Sequence, residues 1–272
     1  MEHKEFDRLV TQAFEQLQNN RLFFPGEGVE LPVLQRPLWG VASAEDPIFE
    51  EFKKPQVIGA NFKAPKEWMP QALSVIAFFF PFTEEIRSRH REAGFDFDEA
   101  WRVGYDNHRP IVDAFAAALT EKLRQQGFSA MDPATDPSFA RTVVTVSEGG
   151  IEDHHYDVSW SNRHSLYAAG LGTFGLHRHI ITEKGCCGGL LTLITDAPLE
   201  ATPRSYSGVY QHCIRCGACI EKCPAAAISA EHLRNLKTCA AYAAQMRPVH
   251  QSPCGKCLVG IPCEDRIPEK TL

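Results

Sequence analysis

The cysteines near the carboxyl end have the types and spacing that redox chemistry needs. Cys213, Cys216, Cys219 and Cys223, with Pro224 after the last, read C-x2-C-x2-C-x3-C-P. Three thiolates at these spacings converge on one [4Fe–4S] cluster, while the fourth ligates a second cluster. Zinc is the competing metal, but structural zinc usually takes its four ligands from two separated pairs. The run therefore predicts an iron–sulfur centre rather than a zinc site.

A second cluster requires further thiolates after Cys223. The chain supplies four more cysteines, which are Cys239, Cys254, Cys257 and Cys263. We expect one cluster to be held by Cys213, Cys216, Cys219 and Cys263. We expect the other to be held by Cys223, Cys239, Cys254 and Cys257. Cys186 and Cys187 are left over; a reactive pair is possible in principle, but buried packing is favoured because adjacent cysteines seldom form a relaxed disulfide.

Composition limits the kind of protein that these cysteines serve. The chain has 272 residues, is 44% hydrophobic and has a formal net charge of −6, which argues against a dedicated nucleic-acid or anionic-membrane surface. Its longest apolar run, residues 73–80, is too short to cross a bilayer. No signal-peptide pattern opens the chain, and cysteines at metal-ligand spacing indicate a reducing compartment. We therefore expect a cytoplasmic protein without a membrane partner.

Helical and strand patterns alternate along the first 200 residues. Apolar residues at helical spacing predict a helix over residues 6–17, and proline and glycine predict short strands and loops over residues 21–66. Two more helices are predicted, one over residues 98–105 and another from Pro110 to Gly127. The apolar run at residues 73–80 predicts a strand covered on both faces, with further strands over residues 142–146 and 190–195. These elements give an α/β or α+β body.

One stretch of the body has the composition of a ligand-binding segment. Ser161 or Asn162 can cap a helix there, and the glycines that follow would let the backbone approach a bulky ligand closely. No preceding strand and downstream acidic residue complete a dinucleotide fingerprint. The alternative is an ordinary helix end followed by a turn. The expected cofactor-binding residues are Trp160, Ser161, His164, Gly170, Leu171, Gly172, Thr173, Phe174 and Gly175.

The order of these motifs resembles that of the epoxyqueuosine reductase family. Members of that family are cobalamin-dependent double [4Fe–4S] proteins related to the reductive dehalogenases. The matching segments are Ala169-Gly170-Leu171-Gly172-x-x-Gly175, Thr195-Asp196-Ala197-Pro198, the cysteine run, Gly104-x-Asp106-x-His108 and residues 237–242. The resemblance implies a nitroreductase-like, corrinoid-binding body over residues 1–202 and a double-cluster, ferredoxin-like domain over residues 203–272. Electrons from reduced ferredoxin or flavodoxin would enter at the outer cluster and pass inward to cobalt.

Three departures from the family concern the substrate. The helical-repeat extension used with tRNA is missing, the final cysteine group reads C-x2-C-x5-C, and residues 137–157 form an insertion. Together with the acidic net charge, these departures argue against tRNA as the substrate. We expect a shorter relative that acts on another, small substrate.

Reduction at cobalt also needs a proton donor, because the metal centres supply only electrons. Asp132 matches the position of the family's catalytic aspartate, with Asp136 close behind, although a turn or cap residue before Pro133 is an equal alternative. Tyr105 is the second candidate, beside Asp106 and His108, and an ordinary helix face is its alternative. The remaining histidines are interpreted as structural.

Three functions follow from these features. The first is a cobalamin-dependent reductase fed by two clusters, with Asp132 or Tyr105 as the acid. The second is an electron-transfer or corrinoid-reducing protein that acts on a corrinoid-protein partner and has no organic substrate of its own. The third is a ferredoxin-like subunit whose body binds flavin or only another protein. The long segment ahead of the clusters argues against a simple carrier.

Overall fold

The computed structural model describes residues 1–24, 26–96, 98–148, 151–246 and 254–269. Its helices are α1 (His3–Glu15), α2 (Ile48–Glu51), α3 (Pro65–Trp68), α4 (Glu84–Glu92), α5 (Glu99–Gln125), α6 (Asn162–Ala168), α7 (Ala218–Glu221) and α8 (Leu236–Met246). Its strands are β1 (Arg21–Phe24), β2 (Val29–Pro32), β3 (Leu38–Ser43), β4 (Ser74–Pro81), β5 (Ala130–Met131), β6 (Arg141–Glu148), β7 (Ile151–Val158), β8 (Gly172–Phe174), β9 (Ile180–Thr182), β10 (Gly188–Thr195), β11 (Ile228–Ser229) and β12 (Leu233–Arg234). Short 3-10 helices lie at Pro133–Thr135 and Lys256–Leu258.

A four-stranded sheet in the order β3-β4-β10-β5 forms the centre of the body. All three strand pairings are antiparallel. β4 is buried at every position, as its continuous apolar pattern predicts for a strand covered on both faces. The expected mixed class is confirmed, and the antiparallel pairing corresponds to its α+β form.

Each face of β4 contributes to a separate hydrophobic core. Ile76, Phe78 and Phe80 pack with α1 and α5 on one side, whereas Val75, Ala77 and Phe79 pack with α6 and the residues around α2 on the other. Successive side chains of a strand point to opposite faces, which explains the alternation. The first core extends to Leu258, Val259, Ile261 and Cys263, so the cysteine region packs on the sheet that carries the body.

The helix that carries Tyr105 is longer than predicted. α5 is one helix of 27 residues with Pro110 inside it, so the prediction of two helices is wrong. Proline removes one backbone donor and normally interrupts a helix. Here the helix continues through it, and the turn before the proline carries two side-chain bonds: the Asn107 side-chain amide donates to the Val103 carbonyl at 2.8 Å, and the His108 ring bonds the Tyr105 carbonyl. Gly127, with φ +86°, follows the end of the helix as predicted.

The other predicted elements form with small shifts. α1 covers most of residues 6–17, β10 contains residues 190–195, and β6 contains residues 142–146. β6 pairs with β7 as an antiparallel hairpin in the predicted insertion. Among the described residues, no helix has the length and apolarity needed to cross a membrane.

Candidate functional site

The first group of four cysteines lines a single cavity. Cys213, Cys216, Cys219 and Cys263 line this cavity together with His177, Ile181 and Pro262. Arg215 (φ 54°) and Gly217 (φ 81°) have left-handed backbones, which turn the loop so that its sulfur atoms face inward. Burial raises the pKa of the Cys219 thiol to about 12, and the neighbouring thiols Cys263, Cys213 and Cys216 add to the effect. Cys216 is exposed, so this group reaches the surface.

The second group consists of Cys223, Cys239, Cys254 and Cys257. Burial raises the pKa of the Cys257 thiol to about 12; Arg234 opposes the shift, and the other three thiols of the group support it. Burial also raises the pKa of Cys254 to about 11, with contributions from Cys223 and Cys239. The Ala227 amide donates a hydrogen bond to the Cys223 sulfur at 3.3 Å. The four side chains are thus close enough to act on one another electrostatically.

Both groups have the donor chemistry of a [4Fe–4S] site. Four thiols that lie close together do not all ionise readily without a cationic partner, because like charges raise the pKa values of their neighbours. Iron binds such thiolates and supplies the positive charge. The two groups coincide with the partition expected from the sequence, and their ligation of two clusters remains a prediction.

A cluster of side chains that sequence reasoning missed lies behind Cys263. The ligand atoms of His177, Cys186 and Cys263 all lie within 4.8 Å of one another. A hydrogen bond with the Cys186 thiol lowers the pKa of Cys263, burial opposes the shift, and a hydrogen bond with His177 supports it. The only sequence signal was the pair of cysteines left over after two clusters had been assigned.

A second feature, the recess, adjoins Cys257 and is defined by Tyr105, Arg163, His164, His179, Arg234 and Cys257. These side chains keep part of their surface accessible, yet their charged forms are strongly desolvated. Desolvation lowers the pKa of His164 to about 3, with the positive charge of Arg163 adding to the shift. Desolvation likewise lowers the pKa of Arg163 to about 10, and Arg234 is the next cause. The recess is therefore a poorly hydrated, cation-rich space.

Tyr105 brings a hydroxyl group to the recess. Its ring packs against Phe82, Trp101 and His108, with centroids 5.8, 5.4 and 4.7 Å away. Burial raises the pKa of the Tyr105 hydroxyl, whereas the positive charges of Arg163 and Arg234 lower it. The phenol is therefore protonated at neutral pH, next to groups that would stabilise its anion.

The two arginines of the recess lack part of their hydrogen bonding. Arg163 Nε and Arg234 Nε are buried and have no partner among the described residues. Arg234 Nη1 contacts His179 Nε2 at 3.1 Å. Buried guanidinium groups are normally satisfied by acceptors or anions. A bound group with acceptor atoms would complete this site.

The stretch predicted to bind a cofactor is largely used for packing. Trp160 is 2% exposed, donates from Nε1 to Thr192 Oγ1 at 2.6 Å and stacks on Phe49 and Phe62. Ser161 is the N-cap of α6, and its hydroxyl bonds His164 Nδ1 at 2.8 Å. Of the residues predicted to bind a cofactor, His164 belongs to the recess, and its chain neighbour Arg163 belongs to it as well.

The glycines of this stretch permit close approach of the chain to itself. A Cβ at Gly172 would lie 2.2 Å from the Ile181 carbonyl oxygen, and one at Gly175 would lie 2.7 Å from the His177 ring. Gly170, with φ +78°, faces the backbone of residues 202–203. Protein atoms fill the space beside the Cβ position of each of these glycines, and contact of the glycines with a cofactor remains a prediction. Leu171, Thr173 and Phe174 lie between them, and Thr173 Oγ1 accepts from the His212 amide at 2.8 Å; any contact of these three with a cofactor remains a prediction.

Asp132 lies apart from the recess. Its Oδ2 accepts a hydrogen bond from Arg109 at 2.9 Å, and its Oδ1 caps the 3-10 helix at the Ala134 amide at 2.9 Å. Burial raises the pKa of the Asp132 carboxyl, whereas the Ala134 amide and Arg109 lower it. Asp132 lines an open groove with Asp113 and other side chains, and no described residue of the recess lines that groove. The structure therefore does not bring the two predicted acids together.

Comparison with known proteins supports the iron–sulfur part of the site and the fold. The 4Fe-4S binding domain family matches residues 209–229, which contain the first cysteine run. No curated protein matches the chain. The structure is similar to an epoxyqueuosine reductase from Streptococcus thermophilus, with a TM-score of 0.55 and 14% identity, over 97% of this chain and 66% of that one.

Reductive dehalogenases have a similar fold. One catabolic reductive dehalogenase matches with a TM-score of 0.55 and 16% identity, over 97% of this chain and 37% of that one. A reductive dehalogenase described with B12-dependent dehalogenation matches with a TM-score of 0.53 and 16% identity, over 95% of this chain and 36% of that one. This chain spans about two thirds of the reductase and little more than a third of each dehalogenase. The expected likeness to these proteins is confirmed at the level of the fold.

Proposed function

We propose that this protein is an iron–sulfur oxidoreductase in which two [4Fe–4S] clusters deliver electrons to a cobalamin bound in the recess, for reductive chemistry on a small substrate. Cobalamin, when bound, supplies a cobalt centre that accepts electrons and passes them to an electrophilic substrate. The observation that carries the proposal is the position of Cys257, which belongs both to the second cysteine group and to the recess.

The two cysteine groups give the electron path a direction. Cys216 of the first group is exposed, so an electron donor can approach there; reduced ferredoxin or flavodoxin has the required chemistry. Cys257 of the second group borders the recess, where Arg163 and Arg234 share its electrostatic environment. Electrons would therefore enter at the first group and leave at the second.

Within the recess, Tyr105 is the residue best suited to donate a proton. Burial keeps its hydroxyl protonated at neutral pH, and Arg163 and Arg234 reduce the cost of the phenolate that proton transfer would leave. The same two guanidinium groups can hold acceptor atoms of a bound cofactor or substrate. Asp132 is the alternative acid, and its substitution by Asn tests that role beside Tyr105→Phe.

The experiment is a titration of anaerobically purified, cluster-loaded protein with hydroxocobalamin, followed by absorption and equilibrium dialysis. We expect saturable binding of about one cobalamin per chain, weakened at least severalfold in Arg163→Gln. Arg124→Gln is the matched control, because Arg124 is exposed and pairs with Glu121. Absence of saturable binding, or equal binding in both variants, would contradict the recess as the cofactor site.

One observation favours a second function. Asp132 lines a groove that no described residue of the recess lines, so only one of the two predicted acids belongs to the recess, and reduction of a corrinoid for a protein partner needs no proton donor at all. In that case Tyr105→Phe would leave electron delivery to cobalamin unchanged, and no organic substrate would oxidise the reduced, cobalamin-loaded protein. Loss of substrate turnover in Tyr105→Phe, with electron delivery intact, would favour the first function.

A further inference from the structure

The surroundings of the Cys263 sulfur contain two buried donors that ligation of a cluster does not require. Cys186 and His177 are each 1% exposed, and their ligand atoms lie within 4.8 Å of the Cys263 sulfur and of each other. His177 Nε2 is 3.5 Å from that sulfur. Both residues come from the body, whereas Cys263 belongs to the cysteine region.

The proton of the His177 ring can be assigned from its hydrogen bonds. The His179 backbone amide donates to His177 Nδ1 at 3.0 Å, so Nδ1 is an acceptor and carries no proton. In a neutral imidazole the proton then lies on Nε2. Nε2 is the atom that faces the Cys263 sulfur, and the ring therefore donates to it.

Cys186 is held beside Cys263 by the backbone. The Cys186 amide donates to the Cys263 carbonyl at 2.9 Å, which fixes the two residues side by side. A thiol at this distance from a thiolate acts as the donor, because only the thiol has a proton to share. The Cys186 thiol lies within 4.8 Å of the same sulfur and is the second donor beside it.

Two glycines make this arrangement possible. A Cβ at Gly185 would lie 2.2 Å from the Glu264 carbonyl oxygen, and one at Gly175 would lie 2.7 Å from the His177 ring. The absence of a side chain at Gly175 leaves room for the His177 ring. The absence of one at Gly185 lets the chain just before Cys186 lie against the backbone of Glu264. Gly175, which the sequence assigned to a cofactor-binding segment, instead makes room for His177.

We propose that the Cys186 thiol and the His177 imidazole donate hydrogen bonds to the Cys263 sulfur and raise the reduction potential of the first cluster relative to the second. Hydrogen bonds to cluster sulfurs stabilise the more negative, reduced state. The inference rests on the ligation of the first cluster by Cys263 in the proposed function. Cys186 and His177 act only through that ligand and are positioning residues.

Cys187 provides a matched control. It is the next residue in the chain, is also 1% exposed, and does not belong to the group of converging ligand atoms. Its amide donates to the Glu264 carbonyl at 3.2 Å, so the two cysteines share the same backbone support. Their side chains differ in what they contact.

The test is an anaerobic redox titration of the full, cluster-loaded chain, with the reduced clusters followed by electron paramagnetic resonance. In Cys186→Ala we expect the reduction potential of the first cluster to fall. Its reduction equilibrium should shift severalfold and up to about tenfold toward the oxidised form, which corresponds to up to about 59 mV for one electron. The other cluster stays unchanged, and Cys187→Ala behaves like the unsubstituted chain. An unshifted potential in Cys186→Ala, or equal shifts in both variants, would overturn the proposal.

Iron content distinguishes this inference from the proposed function. A chain without iron and sulfide would refute the clusters themselves, whereas a full complement with an unmoved potential refutes only the tuning. If Cys186→Ala does not fold, Cys186→Ser and His177→Leu replace it. Cys186→Ser keeps a donor and should stay near the original potential. His177→Leu has no donor to offer the Cys263 sulfur and should lower the potential; the absence of any difference between these two variants would count against the proposal.

Discussion

The second cysteine group depends on a glycine that is pressed against an aromatic ring. Gly255, between Cys254 and Lys256, has φ +66°, and a Cβ there would lie 2.1 Å from the Trp101 ring. Trp101 is completely buried and stacks on His90 with centroids 4.2 Å apart. The ring has no free space to move into. Gly255→Ala should therefore displace the loop that carries Cys254 and Cys257.

The first group offers a matched control in Gly217, which follows Cys216 as Gly255 follows Cys254. Gly217 has φ +81°, but nothing lies within 4 Å of its Cβ position. Gly217→Ala should cost about 1 kcal/mol for the left-handed backbone alone. Gly255→Ala adds overpacking against a rigid core, typically about 1–3 kcal/mol, for a total of about 3 kcal/mol.

Release of iron to a chelator, followed by visible absorption under anaerobic conditions, measures the difference. If local opening limits release, about 3 kcal/mol corresponds to roughly a hundredfold faster loss of one cluster in Gly255→Ala, against roughly fivefold in Gly217→Ala. Adding Trp101→Leu to Gly255→Ala should recover part of the loss, as a double-mutant cycle would report. Equal release from both alanine variants would refute the steric argument.

Three further predictions concern stability. His164 has a pKa of about 3 in the folded chain against about 6.5 unfolded. The unfolded chain therefore binds the extra proton, and the free energy of unfolding should fall by about 1.4 kcal/mol from about pH 7.5 to about pH 5.5, a slope that His164→Phe should reduce in thermal scans. Glu264→Gln removes the buried carboxylate from Arg87 and Arg91, at 3.2 and 2.6 Å; because Glu84 still pairs with both arginines, we expect a destabilisation of about 2 kcal/mol in calorimetry. Pro110→Ala restores a backbone donor to the helix and should raise the melting temperature, with a gain of up to about 3 kcal/mol in the free energy of unfolding. A melting temperature below that of the unsubstituted chain would contradict our account of α5.

Local patterns predicted the parts of the fold that local interactions decide. β4 reads as a buried strand because all its side chains are apolar, and both faces are in fact covered. Pro110 shows where such rules fail: a proline predicts a break, but side chains of α5 and burial of its apolar face keep one helix. β3, which pairs with β4 in the sheet, lies in a segment predicted only as short strands and loops, since four to six residues give little periodicity.

The candidate site likewise has parts that local spacing predicts and parts that it does not predict. Short spacers predict that Cys213, Cys216 and Cys219 lie together, because two intervening residues limit how far apart the sulfurs can be, and the three cysteines do line one cavity. The contact between His177 and Cys263 joins residues 86 positions apart, and no spacing rule reports it. The glycines near residue 172 predict a close approach to the backbone, but the sequence does not show which atoms approach; in the structure these include the Ile181 carbonyl and the His177 ring.

The central claim is that eight cysteines hold two [4Fe–4S] clusters that end beside the recess. Mössbauer spectroscopy of anaerobic, isotopically labelled protein, with iron and labile sulfide analysis of the same sample, tests it most directly. The account predicts about eight iron and about eight sulfide per chain, all in spectra of [4Fe–4S] type. Zinc in place of iron, or about four iron per chain with half of the cysteines freely reactive, would contradict it.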